Sequence, residues 1–367
     1  MTIKKNINSE YKSTQLLAVF QAFFKDELHL ARIHLICLFI SSLCKVKSVN
    51  FSKLSAGFDT ASKSSSNYRR IQRFIATVEF PVKLVAKLIF SLLPNKTSLT
   101  LVMDRTNWKF GEKNINILML GVSYKNIAFP LMFKMLNKKG NSNTQERIIL
   151  VQNFIDWFGS SCIECLLADR EFIGEDWLNF LNINNIRYHI RIRNNFKIYV
   201  PDKQKEITAY FLFNDLRINE LRHYTKIVKL HGQYCYLSGI KTINDGKLDF
   251  CIVVSFNRPD EALECYKKRW QIETLFKGFK TSGFNLEDTH VTHLDRLEKL
   301  VNLVMIAFVW CYKIGDYIDT KIKPIQIKKH GRRAVSVFRY GLDYITECLL
   351  SGFNKLNICL IKFFVVY

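Results

Sequence analysis

The chain has 367 residues, which at roughly 100 to 200 residues per domain allows two or three domains. Lysine and arginine number 54 against 32 acidic residues, a net charge of +22 with a pI near 9.5, and an excess of that size points to a polyanionic partner. With 48% apolar residues general disorder is excluded, and so is an integral membrane protein, because the longest apolar runs, Leu35 to Leu43 and Leu300 to Tyr312, fall short of the roughly 18 residues a span needs.

The start, Met1-Thr2-Ile3-Lys4-Lys5-Asn6, lacks the apolar stretch of a secretory signal. The cysteines follow no framework spacing and read as reduced, buried thiols of a cytoplasmic protein. Cys162 and Cys165 form a C-x-x-C, but with no second pair at zinc-knuckle distance they read as packing residues. The charge is uneven: residues 1–100 carry +10, while 101–180 and 251–300 are balanced. Basic flanks around neutral segments suit an enzyme that holds phosphates outside and concentrates metal-binding carboxylates inside. A basic protein with uneven solvated faces gives the same count.

Residues 1–95 read as an all-α N-terminal domain, with apolar stripes at Leu16, Leu17, Phe20, Phe23 and Phe24 and at Leu30, Ile33, Ile36 and Ile40. Phe51 to Val78 reads as two short helices around a Gly57 turn, the second capped by the Ser64-Ser65-Ser66-Asn67 cluster. On that second helix Ile71, Phe74, Ile75 and Val78 share one side, while Arg69, Arg70 and Arg73 share another, between about 100° and 200° on the wheel. One face packs and one is basic, as in a helix lying in a DNA groove or a solvated surface helix. Pro94 to Ser98 marks a boundary.

The period then changes. Strands are predicted at Leu99–Met103, Ile115–Tyr124 and Ile127–Leu136, a helix at Asn143–Phe158, a strand at Ile163–Ala168, a helix at Glu175–Leu181 and a strand at Arg187–Ile192. Short β-prone stretches fill about 194–256, at Ile207–Phe213, Tyr224–Leu230, Tyr234–Ile240 and Leu248–Phe256, with Asp245-Gly246 as a hairpin signal. A long helix follows from about Pro259 to Lys280. Residues 301–367 show helical spacing with basic charge.

Two aspartates end apolar strands, Asp104 after Leu99–Met103 and Asp169 after Cys165–Ala168, where ligands gather in such sheets; each alone also suits a turn cap. On the long helix Tyr266, Arg269, Glu273 and Lys280 fall within an arc of about 60°. One stripe therefore presents a phenol, a guanidinium, a carboxylate and an ammonium, more than i,i+4 Arg–Glu pairing explains.

Asp104-Arg105-Thr106-Asn107-Trp108, Ala168-Asp169-Arg170-Glu171-Phe172 and the Tyr-x2-Arg-x3-Glu-x6-Lys signature together resemble the three catalytic regions of bacterial insertion-sequence DDE transposases, most closely the insertion-sequence-4 family. The resemblance covers about residues 97–300, and more loosely His330 to Arg333 and Tyr340 to Leu342. It implies an α/β fold, a ribonuclease-H-like catalytic core at 96–300 with a β-rich insertion, an N-terminal DNA-binding domain, and a helical C-terminal region at 301–367 for dimerisation or DNA contact. It also implies that Asp104, Asp169 and Glu273 hold two Mg2+ ions, with Mn2+ as a substitute, for phosphoryl transfer. Tyr266, Arg269 and Lys280 are then expected to grip phosphates, with Arg69, Arg70 and Arg73 as further DNA contacts. The implied partners are double-stranded DNA, as transposon terminal repeats and target, and a second copy in a homodimer at the nucleoid. A nuclease that only hydrolyses and a catalytically silent DNA-binding descendant are the rival readings.

The family's flipped-base tryptophan has no counterpart, since no tryptophan lies between Trp177 and Trp270; Tyr236, Phe250 and Phe256 are the aromatic substitutes. Glu171 reads as an exposed turn carboxylate or an auxiliary metal ligand. His290 and His293 read as structural or DNA-facing, and Trp108 and Trp270 as packing beside the site.

Overall fold

The computed structural model describes residues 16–244, 246–351, 356, 359–360 and 363. They divide into two compact units, Met1–Pro94 with Trp108–Ile115 and Leu275–Tyr367, and Asn95–Asn107 with Asn116–Thr274.

The first unit is helical apart from the β1–β2 hairpin end. Residues 16–24 form α1, followed by α2 (Leu30–Val46), α3 (Phe51–Ala56), α4 (Ser64–Thr77) and α5 (Val82–Leu92). From the other end of the chain come α10 (Leu294–Lys321) and α11 (Val337–Ser351). α10 is apolar nearly all round, which marks a helix enclosed by neighbours: Leu297 through Ile318 supply most of its buried surface. Cys44 on α2 lies 3.7 Å from Cys311 on α10, Sγ to Sγ. Buried Asn302 donates to the Phe80 carbonyl at 2.8 Å, and Phe80 meets Phe24 edge-on. α10 and α11 come together at Gly315 and Gly341, where a Cβ on Gly341 would lie 2.6 Å from the Gly315 nitrogen. Among the described residues no helix is long and apolar enough to cross a membrane.

The expected start of α4 differs. Its N-cap is Lys63, with no side-chain cap bond, because Asn67 lies inside the helix and is buried, exchanging hydrogen bonds with Thr60.

The second unit is built on a ten-stranded sheet. β1 (Leu99–Phe110), β2 (Lys113–Tyr124) and β3 (Ile127–Met135) form the expected meander; α6 (Thr144–Phe158), β4 (Ile163–Ala168), α7 (Glu175–Ile183) and β5 (Tyr188–Ile192) follow. The chain then adds β6 (Lys197–Val200), β7 (Lys205–Thr208), β8 (Leu221–Leu230), β9 (Gln233–Asn244) and β10 (Lys247–Ser255). The strand order is β3-β2-β1-β4-β5-β10-β9-β8-β6-β7. β4 runs parallel to β1 and β5 parallel to β4, whereas β10 is antiparallel to β5. The β-rich segment therefore extends the same sheet. α6 begins at a reciprocal capping box between Asn143 and Glu146, which satisfies two otherwise unpaired N–H groups.

Two predicted elements change. The strand expected at Ile207–Phe213 ends at Thr208 and passes into a 3-10 turn over Ala209–Leu212. Gly246 takes the positive φ of 74° its turn needs, while Asp245 lies outside the described residues. The helix expected from Pro259 to Lys280 is interrupted: α8 (Pro259–Lys267) tightens into a 3-10 turn at Lys268–Trp270 before α9 (Gln271–Phe279).

Candidate active site

Asp104 does not end its strand: β1 continues to Phe110, because its pairing with β2 outlasts its pairing with β4. The β1–β4 register stops at Met103 opposite Ala168. Asp104 and Asp169 are thus the next residues on two adjacent parallel strands, at the point where one strand leaves the sheet. Both carboxylates are fixed in the same way, Asp104 Oδ1 accepting from the Arg105 N–H and Asp169 Oδ1 from the Arg170 N–H, each at 2.7 Å.

The third carboxylate arrives on α9, whose residues Ile272, Leu275, Phe276 and Phe279 are buried and leave Glu273 in the first turn on the other side. Arg269, only 8% exposed, joins the set: one guanidinium nitrogen donates to Asp104 Oδ2 at 3.0 Å and the other to Glu273 Oε1 at 2.5 Å. The Tyr266 hydroxyl donates to Asp169 Oδ1 at 3.3 Å. One arginine and one tyrosine therefore tie all three carboxylates together. Lys280 belongs to the other unit, where it pairs with Glu287 at 2.7 Å and lies over the Trp108 ring.

The electrostatics follow from crowding. Burial pushes the Asp104 carboxyl up to about 6; the Arg105 N–H and Arg269 pull it down, and the Asp169 and Glu171 charges push it up again. Burial opposes the charge on Arg269, but Tyr266, Glu273, Asp104 and Asp169 outweigh it and hold the guanidinium above its ordinary value. Burial and the nearby Asp169 charge raise the Tyr266 phenol, which stays a donor.

Glu171 is not an exposed turn residue. Arg105 holds it with a two-pronged fork, 3.2 and 3.3 Å, and donates also to Asn116 and Asn141, each at 3.1 Å. Sequence reasoning gave Arg105 no role, since its partners lie 11 to 66 residues away. The one available signal was its position beside Asp104 in β1, which turns the two side chains to opposite faces. Trp108 packs as expected at 8% exposure, whereas Trp270 is 60% exposed and stacks beneath Arg269 at 5.5 Å. Phe250 is buried against Tyr210, with ring centroids 5.2 Å apart.

In the first unit, Arg69 and Arg73 are exposed on α4 and Arg70 is half-buried, donating to Asn67 at 3.3 Å. Tyr68 and Gln72 of α4 line a cavity of about 350 Å³ together with His290, His293 and Arg296.

Residues 98–310, more than half of the 367, match the family model described as the transposase DDE domain. The chain belongs to the DDE transposase domain family. No curated protein matches it. Among solved structures, a piggyBac transposase synaptic complex with hairpin DNA, seen by cryo-electron microscopy, is similar at 12% identity with a TM-score of 0.45, covering 95% of this chain and 79% of that chain. The matched DDE domain contains Asp104, Asp169 and Glu273.

Proposed function

We propose that this DDE domain cleaves DNA at transposon ends and joins them to target DNA by two-metal-ion phosphoryl transfer, in the manner of the insertion-sequence-4 family. The observation that carries the reading is the convergence of Asp104, Asp169 and Glu273, from two adjacent strands and a helix, on one arginine and one tyrosine. Strand order 3-2-1-4-5 in the first half of the sheet supports a ribonuclease-H-like core.

The donor set fits hard divalent cations. All three ligands are carboxylates, and burial, with a smaller push from Asp169 and Glu171, holds Asp104 above its ordinary value, a cost that a bound cation would relieve. Asp104, Asp169 and Glu273 would hold Mg2+, or Mn2+ in its place, and the bound ions would supply Lewis acidity at the attacking and leaving oxygens of an in-line displacement. The protein's own part is positioning. Backbone N–H groups and the Tyr266 hydroxyl orient Asp104 and Asp169. Arg269 keeps Asp104 and Glu273 together, and its fork can trade a carboxylate oxygen for a phosphate oxygen when DNA enters. Lys280 is a further phosphate contact in this reading, and Arg69, Arg70 and Arg73 of α4 supply salt-sensitive binding to the duplex. The N-terminal helices of 1–95 serve DNA binding, and residues 301–367 serve pairing of two copies or DNA contact.

The test is product analysis with the full chain, Mg2+ and linear DNA carrying the element's ends. Joined products identify a transposase. Cleavage without joining identifies a hydrolytic nuclease, and binding without cleavage in Mg2+ or Mn2+ identifies a silent DNA-binding protein.

A further inference from the structure

Cys165 on β4, His189 on β5 and Cys265 on α8 each place one ligand atom within 4.8 Å of the others. The sequence arranges this through register. Leu167 pairs with His189 across the parallel β4–β5 ladder, and Cys165 lies two residues before Leu167, so Cys165 and His189 emerge on the same face of the sheet. α8 packs there and brings Cys265. The two sulfurs are 3.6 Å apart and the cysteines are free. That separation is far beyond a disulfide bond of about 2.05 Å. It matches instead the edge of about 3.8 Å that two thiolates span around a tetrahedral ion with metal–sulfur bonds of about 2.3 Å.

A second observation points to a ligand. His189 is 1% exposed, and its Nδ1 is buried with no hydrogen-bond partner among the described residues. A buried nitrogen left without a partner is destabilising. The cluster also favours a thiolate already: the hydrogen bond from Cys165, aided by His189, draws the Cys265 thiol below its ordinary value against burial, while that same bond and burial push Cys165 up.

We propose that Cys165, His189 and Cys265 form a second metal site, for a thiophilic divalent cation of the zinc class. Binding breaks each S–H bond still present, releases its proton to solvent, and forms two metal–thiolate bonds and one metal–imidazole bond with no change of oxidation state. Such an ion would staple β4, β5 and α8 together. Asp169 follows Cys165 by four residues and Tyr266 adjoins Cys265, so the staple would fix the pair that meets at 3.3 Å in the active site. The site does not depend on the transposition reading, because its soft donors differ from the hard oxygens of Asp104, Asp169 and Glu273.

The experiment loads the full-length, reduced protein with one equivalent of Zn2+ or Co2+ in excess Mg2+, desalts it, and measures bound metal and the thiolate-to-cobalt charge-transfer absorption. One ion per chain and the absorption band are expected for the native chain, for Cys359→Ser and for Asp104→Asn. Both are expected to fall at least tenfold in Cys265→Ala and in His189→Gln, with folding of each verified by circular dichroism. A folded native chain with less than a tenth of an equivalent of metal overturns the proposal. So does a band that persists in Cys265→Ala, or a Cys165–Cys265 disulfide in the peptide map.

Discussion

Replacing Arg269 by methionine removes a charge that touches two carboxylates at once. Arg269 is 8% exposed, and its partners Asp104 and Glu273 are 18% and 29% exposed. Breaking a fully buried pair costs about 3–5 kcal/mol, mostly because the surviving charge is left uncompensated. Screening of the partly exposed carboxylates lowers the expected loss to about 2–4 kcal/mol. Urea unfolding measures it at pH 8, above the value of about 6 to which burial raises Asp104. A divalent cation then replaces the lost charge, so Mg2+ should stabilise Arg269→Met more than the native chain. A site filled at 100 times its Kd contributes about 2.7 kcal/mol. A loss under 1 kcal/mol, or an equal Mg2+ effect on both proteins, would refute the claim that Arg269 neutralises the carboxylate cluster.

The Arg105–Glu171 fork should show a coupling of about 1–3 kcal/mol in a cycle of Arg105→Met and Glu171→Gln followed by denaturant unfolding; additivity within 0.5 kcal/mol, by the same principle, would reduce it to a surface contact. Gly341→Ala drives a methyl into the Cys311 carbonyl and the Gly315 nitrogen, and overpacking of this kind costs about 1–3 kcal/mol, readable as a lower Tm; an unchanged Tm would contradict the close α10–α11 approach. Burial lowers Lys313 to about 8 from an unfolded value of 10.5, so the folded chain is penalised below pH 8 and the penalty fades as pH rises to 10.5. Lys313→Met should therefore stabilise by about 1–3 kcal/mol at pH 7, less the Leu92 hydrogen bond it gives up, and the gain should vanish near pH 10.5. A pH-independent difference would contradict it.

The elements that periodicity marks cleanly, from β2 through β5, lie within a few residues of their predicted places because each is a short apolar run closed by turn residues. Local patterning failed where a partner decides the outcome. β1 runs past Asp104 because β2 is there to pair with it, and Glu171 is sheltered because Arg105 reaches it across 66 residues. The helical stripe was legible up to a point. Tyr266, Arg269 and Glu273 meet the aspartates, while Lys280 follows the end of α9 and pairs with Glu287. The Cys165–His189–Cys265 cluster was invisible as a motif, because two strands and a helix 24 and 76 residues apart along the chain assemble it. C-x-x-C spacing drew attention to Cys162, which instead donates to the Gly159 carbonyl.

Single-turnover cleavage of DNA carrying the element's ends, in Mg2+, with the native chain beside Asp104→Asn, Asp169→Asn and Glu273→Gln, decides whether these three carboxylates carry the chemistry. Each substitution removes one carboxylate charge at nearly constant volume. A loss of roughly 1,000-fold or more is expected for every variant, equivalent to about 4 kcal/mol of transition-state stabilisation, with DNA binding retained. Cleavage within tenfold of the native rate by any one of the three would contradict it.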